Sequence, residues 1–450
     1  MNRNKLKAMP LALALTLTCG AAFADDVADL TQAPRNSPDS DTTGFHGYLR
    51  DGAGSSSVHG PQACFGLGGN TMKYRLGNEC DAYFEGGETW NFAKPDADGV
   101  VFTGTLWANE YSGNSQFGSG GSSLGLAKAY VEAKGLDFLG GGVAWVGERY
   151  YYRPDIHMLD LQFINMNGTG GGIDNIKAGP GTFSYAVFKD NDNAKQYVPS
   201  TDSYITTTAA VRQNFIYKGL PLNPGGSLDV ALSLITAEGT GDHDGYNLTL
   251  LHNQDAFGGG NTFGVQYGVG PGAGTGSSTV LCCDRIGGSG TTNADSGVKR
   301  LRVFDHLWIQ PTKQFSAEMI ALYQRDTGDA SSPVAFGGVA TATGTSNWTS
   351  LGIRPAYAFS EHVKLQAELG TDSVTSPTGG QSERLTKVTI APTLTMGSGY
   401  WARPELRLYI THANWNNAAV AAVNAANTTP GVFGNATSGT SAGLQLEAWW

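Results

Sequence analysis

Three titratable side chains, Asp155, His157 and Asp160, fall close together in RYYYRPDIHMLDLQF (149–163). Two carboxylates and an imidazole are the groups that acid–base catalysis or a metal ion would use. Their spacing matches no catalytic or metal-binding motif, and no Ser–His constellation stands out elsewhere. Neither a catalytic site nor a metal is therefore expected. A second pattern is more consistent, because aromatic residues share a parity with charged ones. In GFHGYLRDG (44–52), His46, Tyr48 and Arg50 alternate against Phe45, Gly47 and Leu49. Tyr83 and Glu85 share a parity, Trp401 falls with Arg403, Glu405 and Arg407, and Trp449 falls with Gln445 and Glu447. On a soluble strand such a face would look at bulk water. The alternative is that it looks at something enclosed.

The elements that would carry these residues are strands. GLQLEAWW sets Leu444, Leu446, Ala448 and Trp450 against Gln445, Glu447 and Trp449, and HVKLQAELG sets Val363, Leu365 and Ala367 against Lys364, Gln366 and Glu368. Alternating segments of about ten residues are the pattern of transmembrane barrel strands, apolar toward lipid and polar toward a lumen. Turn-forming stretches are tight at 223–227, 310–314 and 359–362, and long and Gly/Ser/Thr/Asn-rich near 282–299, 327–346 and 415–441. That contrast fits periplasmic turns and extracellular loops, and Trp450 suits an interfacial girdle. A secreted β-sandwich would alternate too, but a domain this long would need a larger apolar core, and its polar-parity Trp and Tyr would be stranded in solvent. The expected fold is all-β, a transmembrane antiparallel barrel of the 16–18-strand porin size.

Met1–Ala24 reads as a secretory signal: Arg3, Lys5 and Lys7, then MPLALALTLT, then AFA before Asp25. Residues 25–43 read as a flexible periplasmic extension and 44–450 as the barrel. The net charge of −10 excludes the basic stripe of a nucleic-acid-binding protein. Outside the cytosol Cys64 and Cys80 are expected to pair, a cross-link worth about 3 kcal/mol at that loop length. Cys282 and Cys283 are adjacent, with no role assigned. No cofactor is expected.

In collinear order, FHGYLRDG (45–52), KYRLGNECDAYFE (73–85), RYYYRPDIHMLDLQF (149–163), NPGGSLDVAL (223–232), RLRVFDHL (300–307), GIRPAYAF (352–359), WARPELRLYITHANW (401–415) and EAWW (447–450) resemble the maltoporin family of sugar-specific porins. The resemblance implies an 18-stranded barrel in the bacterial outer membrane, a homotrimer, and facilitated diffusion of maltose, maltodextrins or related oligosaccharides without enzymatic activity. It implies an aromatic slide of Tyr48, Tyr83, Phe263, Trp401 and Trp449 that stacks on sugar rings. Beside it would run a polar track of Arg50, Arg75, Glu85, Arg153, His157 and Asp160, with 149–163 as the inward-folded constriction loop. Contacts of this kind must be weak and repeated for the solute to leave again.

Two departures bear on substrate. Maltose-specific members carry a tyrosine two residues after the position of Asp160, where this chain has Gln162, and sucrose-type relatives also lack it. The family's lumen arginine aligns with Ala127, next to Lys128, and Phe117 is the nearest aromatic to the tryptophan a neighbouring subunit contributes. A sucrose-type porin and a general diffusion porin for ions and small solutes are the competing functions.

Overall fold

The computed structural model describes residues 41–450 other than 69–71, 95–98, 114–115, 119–121, 193–194, 199, 201–202, 207–208, 240, 276–285, 331, 333, 337–338 and 428–430. The expected leader, most of the expected extension, and Cys282 and Cys283 lie outside the described residues.

Eighteen strands form one antiparallel sheet. In chain order they are β1 Gly44–Ser56, β2 Ala82–Asn91, β3 Val101–Ser112, β4 Ser122–Lys134, β5 Val143–Arg149, β6 Gly168–Ala178, β7 Gly181–Asp192, β8 Ala209–Asn223 and β9 Gly226–Glu238. The other half is β10 Gly245–Ala256, β11 Gly259–Val269, β12 Lys299–Ile309, β13 Phe315–Gly328, β14 Gly344–Ala358, β15 Val363–Val374, β16 Glu383–Thr395, β17 Glu405–Trp415 and β18 Ser438–Trp449. Each pairs with the next, and β1 pairs back onto β18 from Tyr48↔Trp449 to Ser56↔Ser441. Closure leaves no unpaired edge, which a sheet in hydrocarbon requires.

The wall is inverted relative to a soluble protein. On β17, Leu406, Leu408 and Ile410 are more than half exposed, whereas Glu405, Arg407 and Thr411 are buried. β15 repeats this, with Lys364, Gln366 and Glu368 buried and Leu365 and Leu369 outside. Connections are short at one end (179–180, 224–225, 257–258, 310–314, 359–362) and long at the other (57–81, 150–167, 270–298, 416–437). Around the short-turn end, aromatic groups stand on the outer face. Trp450 lies 5.9 Å from Phe45 and 6.5 Å from Phe84, and Tyr357 lies 5.3 Å from Phe359. Such belts sit at the membrane–water interface.

Two connections fold into the barrel and build its apolar core together with inward-facing wall residues. Ile156, Met158, Leu159, Leu161 and Phe163 of 150–167 pack with Phe65 and Tyr74 of 57–81 and with wall residues such as Phe188 and Phe304. Tyr74 is keyed into a notch where Gly352 and Gly370 face each other across β14 and β15. A Cβ at either glycine would approach the Tyr74 ring to 2.0 or 2.1 Å. The disulfide joins Cys64 to Cys80 within the same connection.

The 150–167 segment is pinned at several points. Arg149 and Tyr151 both bond Asp174 of β6, while Arg212 of β8 donates to the Met166 and Asn167 carbonyls. At its centre Asp155–Ile156 pairs with Leu161–Gln162 across a 3₁₀ turn at His157–Leu159, closed by Asp160 at φ 54°. That turn is why strand parity fails between His157 and Asp160.

Candidate functional site

Five rings form a continuous row along the inner wall. Tyr83 is 6.1 Å from Tyr48, Tyr48 is 6.4 Å from Trp449 and nearly parallel to it (15°), and Trp449 is 6.5 Å from Trp401. Trp308 extends the row, 5.9 Å from Trp401. Register explains the middle: Tyr48 of β1 lies directly opposite Trp449 of β18, and Tyr83 of β2 lies opposite Arg50, one inward step along. Trp401 arrives differently. Alternation suggested that it belonged to a strand, but β17 begins at Glu405 and the 396–404 turn carries Trp401 inward.

Phe263 is not brought to this row. It is 44% exposed on the outer face of β11, while the neighbouring Gly264 and Gln266 are buried. Its own segment, NTFGVQY, places Phe263 on the parity of Val265 and Tyr267, which is the lipid-facing one. The aromatic at that end of the row is Trp308, on the inward parity of Arg300, Arg302, Phe304 and His306.

The charged residues converge beside the rings. Glu447 receives Tyr48 Oη at 3.1 Å and His157 Nε2 at 3.0 Å, and lies 3.0 Å from Arg75, 2.9 Å from Arg403 and 2.6 Å from Arg407. Arg75 also donates to Tyr48 Oη at 2.7 Å, so ring and charge positions are mutually fixed. Arg50 bridges Glu79, Asp81 and Asp160 at 3.1, 2.5 and 2.9 Å, with Lys73 3.6 Å from Asp160. At the other end Glu85 accepts from Tyr83 and Tyr150 at 2.6 Å each and from Arg153 at 3.4 Å, and Arg153 lies 3.7 Å over the Tyr150 ring.

Asp155, His157 and Asp160 do not form a cluster of their own: His157 is turned to Glu447 and Asp160 to Arg50. Gln162 accepts from Asn165 at 2.8 Å within the inward hairpin. Phe117 lies apart, on the exposed connection between β3 and β4.

Enclosure and charge act on the loop residues in different directions. Burial opposes ionisation of Asp160, yet Arg50, then Arg75 and Lys73, hold its carboxyl well below the usual carboxylate range. Burial pushes Asp155 up to about 6 against the pull of Arg75 and Arg153. Burial also pushes His157 down to about 4, with Glu447 resisting. At neutral pH His157 is thus an uncharged hydrogen-bonding group, edge-on to Trp401 at 5.4 Å and to Trp449 at 6.1 Å.

Several members of the site escaped the sequence reading. Glu447, Arg403 and Arg407 share the inward parity of segments already recognised as strands, so alternation was a sufficient signal. Tyr150 and Glu79 lie in folded-in connections, where no periodicity points to them. Among the described residues no group of three His, Cys, Asp or Glu is placed to hold a metal.

Solved structures similar to this chain include OpdK of Pseudomonas aeruginosa with vanillate (TM-score 0.45, 11% identity, 90% of this chain and 98% of that one). OccAB1 of Acinetobacter baumannii gives a TM-score of 0.47 at 10% identity, over 94% of this chain and 99% of that one. An anion-selective porin from Comamonas acidovorans gives 0.41 at 8% identity, over 91% and 99%. The profile of the LamB porin family matches residues 43–450. A closed barrel with an outward apolar band and a match over nearly the whole chain make this a multi-pass β-barrel of the outer membrane, and the chain belongs to the LamB porin family.

Proposed function

We propose that this porin is a carbohydrate-selective channel in which Tyr83, Tyr48, Trp449, Trp401 and Trp308 stack on sugar rings. Arg50, Arg75, Glu85, Arg153, His157 and Asp160 act as the polar track, with the 150–167 segment as the constriction. The observation that carries this reading is the continuity of the row, with no gap between centroids above 6.5 Å, flanked throughout by charged groups. A ring face offers apolar area without a directional demand, while carboxylates and guanidinia satisfy hydroxyls at the sugar's edge. Because neighbouring stations are alike, a solute leaving one meets the next before the first is fully lost, which keeps binding shallow and exchange fast.

Maltodextrins are the leading substrates, and the Gln162 side chain in place of a ring admits bulkier disaccharides such as sucrose. Assembly as a homotrimer, with Phe117 offered to a neighbouring subunit, belongs to the same proposal. The test is single-channel conductance of the purified protein titrated with maltodextrins and with sucrose. Concentration-dependent block is expected. Current unaffected by any of these sugars would leave a general diffusion pore for ions and small solutes.

A further inference from the structure

Just ahead of β1 the chain reaches into the barrel. Asp41 Oδ1 lies 2.7 Å from Lys128 Nζ, and Tyr130 Oη donates to Asp41 Oδ2 at 2.7 Å. Both partners are on the inward face of β4 and both are buried. The two oxygens of one carboxylate therefore meet two separate donors, one of them charged, which is how a carboxylate is best held. The ammonium lies 3.7 Å from the centroid of the Trp107 ring and 5.3 Å from that of Tyr150. Lys128 is only 6% exposed, and a buried ammonium needs an anion beside it. Trp107 adds an indole N–H that is buried with no hydrogen-bond partner among the described residues.

The position relative to the rings gives this its meaning. Tyr150 Oη is 3.2 Å from Tyr83 Oη, so the Lys128 site continues the aromatic row at its Tyr83 end. The family match begins at residue 43, so Asp41 lies outside it. We propose that Lys128 and Tyr130, backed by Trp107 and Tyr150, form a carboxylate subsite for an acidic sugar of the uronate or aldonate class, occupied in the resting channel by Asp41 as a tethered competitor. The sugar part of this statement rests on the carbohydrate-channel reading; the carboxylate part rests on the Lys128–Tyr130 geometry alone. A neutral sugar cannot displace Asp41 without leaving the buried ammonium unpaired, whereas a sugar acid exchanges one carboxylate for another.

Only Thr42 and Thr43 separate Asp41 from β1. A tether this short holds its ligand at an effective concentration of about the millimolar range, so a free acid must compete at comparable levels. The probes are sodium glucuronate and its neutral counterpart glucose, applied to the full-length channel in planar bilayers at constant ionic strength. Glucuronate is expected to half-block at a lower concentration than glucose. Asp41→Asn should lower the glucuronate half-blocking concentration about tenfold. Lys128→Gln should erase the difference between the two sugars. Tyr130→Phe, which keeps the ring, should shrink that difference several-fold and covers the case in which the lysine variant fails to fold. Equal block by glucuronate and glucose in Asp41→Asn overturns the proposal, as does a half-blocking concentration indifferent to Asp41. A maltodextrin titration of the same channels separates the two readings. Glucuronate block without maltodextrin block sinks the neutral-sugar channel and keeps the subsite, and the converse sinks the subsite alone.

Discussion

Replacing Asp155 by Asn removes a carboxyl that burial pushes up to about 6 from an ordinary value of 3.8. Between those values the folded chain keeps a proton that the unfolded chain has lost. Asp155 therefore costs stability as pH rises through that window, by at most about 3 kcal/mol, since one pH unit corresponds to about 1.36 kcal/mol. The carboxyl keeps part of its surface accessible, so the true figure lies below that bound. His157, two residues on, has the opposite sign. Burial lowers it from 6.5 to about 4, so the unfolded chain binds the extra proton, and stability rises by up to about 3 kcal/mol as pH climbs from 4 to 6.5. The two contributions offset each other in the native chain. Asp155→Asn should uncover the His157 term, giving a urea midpoint that increases steeply from pH 4 to 6.5. Asp155→Asn combined with His157→Gln should be flat again. Tryptophan emission of the detergent-solubilised barrel, followed at half-unit pH steps, reads both. A pH profile for Asp155→Asn superimposable on the native one would refute the reasoning. Lumen charge, unlike stability, does not cancel, because acidification neutralises Asp155 and later charges His157. The reversal potential in a salt gradient should accordingly shift toward anion preference between pH 7 and 5, and that shift should be missing in Asp155→Asn.

Trp449→Ala interrupts the row between Tyr48 and Trp401, and a lost ring interaction of about 1 kcal/mol weakens maltodextrin block roughly fivefold. Phe263→Ala, on the lipid face, should leave block unchanged, and equal effects of the two would remove the row from the transport path. Gln162→Tyr should favour linear maltodextrins over sucrose in the same titration, and unaltered selectivity would count against a role for Gln162 as a filter.

The barrel was legible because its strands are simple. The alternation of Leu406, Leu408 and Ile410 against Glu405 and Arg407 states which side is lipid without any knowledge of neighbours. Phe263 shows the hazard of overriding that rule: resemblance put it in the lumen, whereas Gly264 and Gln266 on the other parity had already assigned it outward. Trp308 could have been found from RLRVFDHLW by the same alternation. The rest was not readable. Tyr74 seats against Gly352 and Gly370 across hundreds of residues of sequence, and Asp41 reaches Lys128 from outside any strand. Such contacts depend on where a non-periodic connection comes to rest, which is fixed by the completed wall and not by local pattern.

The position of Glu447 ties assembly to function. It stands on β18, the strand that seals the barrel against β1, and it answers guanidinia from the 57–81 connection (Arg75), from the 396–404 turn (Arg403) and from β17 (Arg407). Before that strand pairs with β1, the three guanidinia lack the anion they share and are answered only in part, Arg75 by Glu79 and Arg403 and Arg407 by Glu405. Docking of β18 thus seals the seam and completes this charge cluster in one event. A barrel that has closed has, by closing, also completed the charged cluster beside its aromatic row.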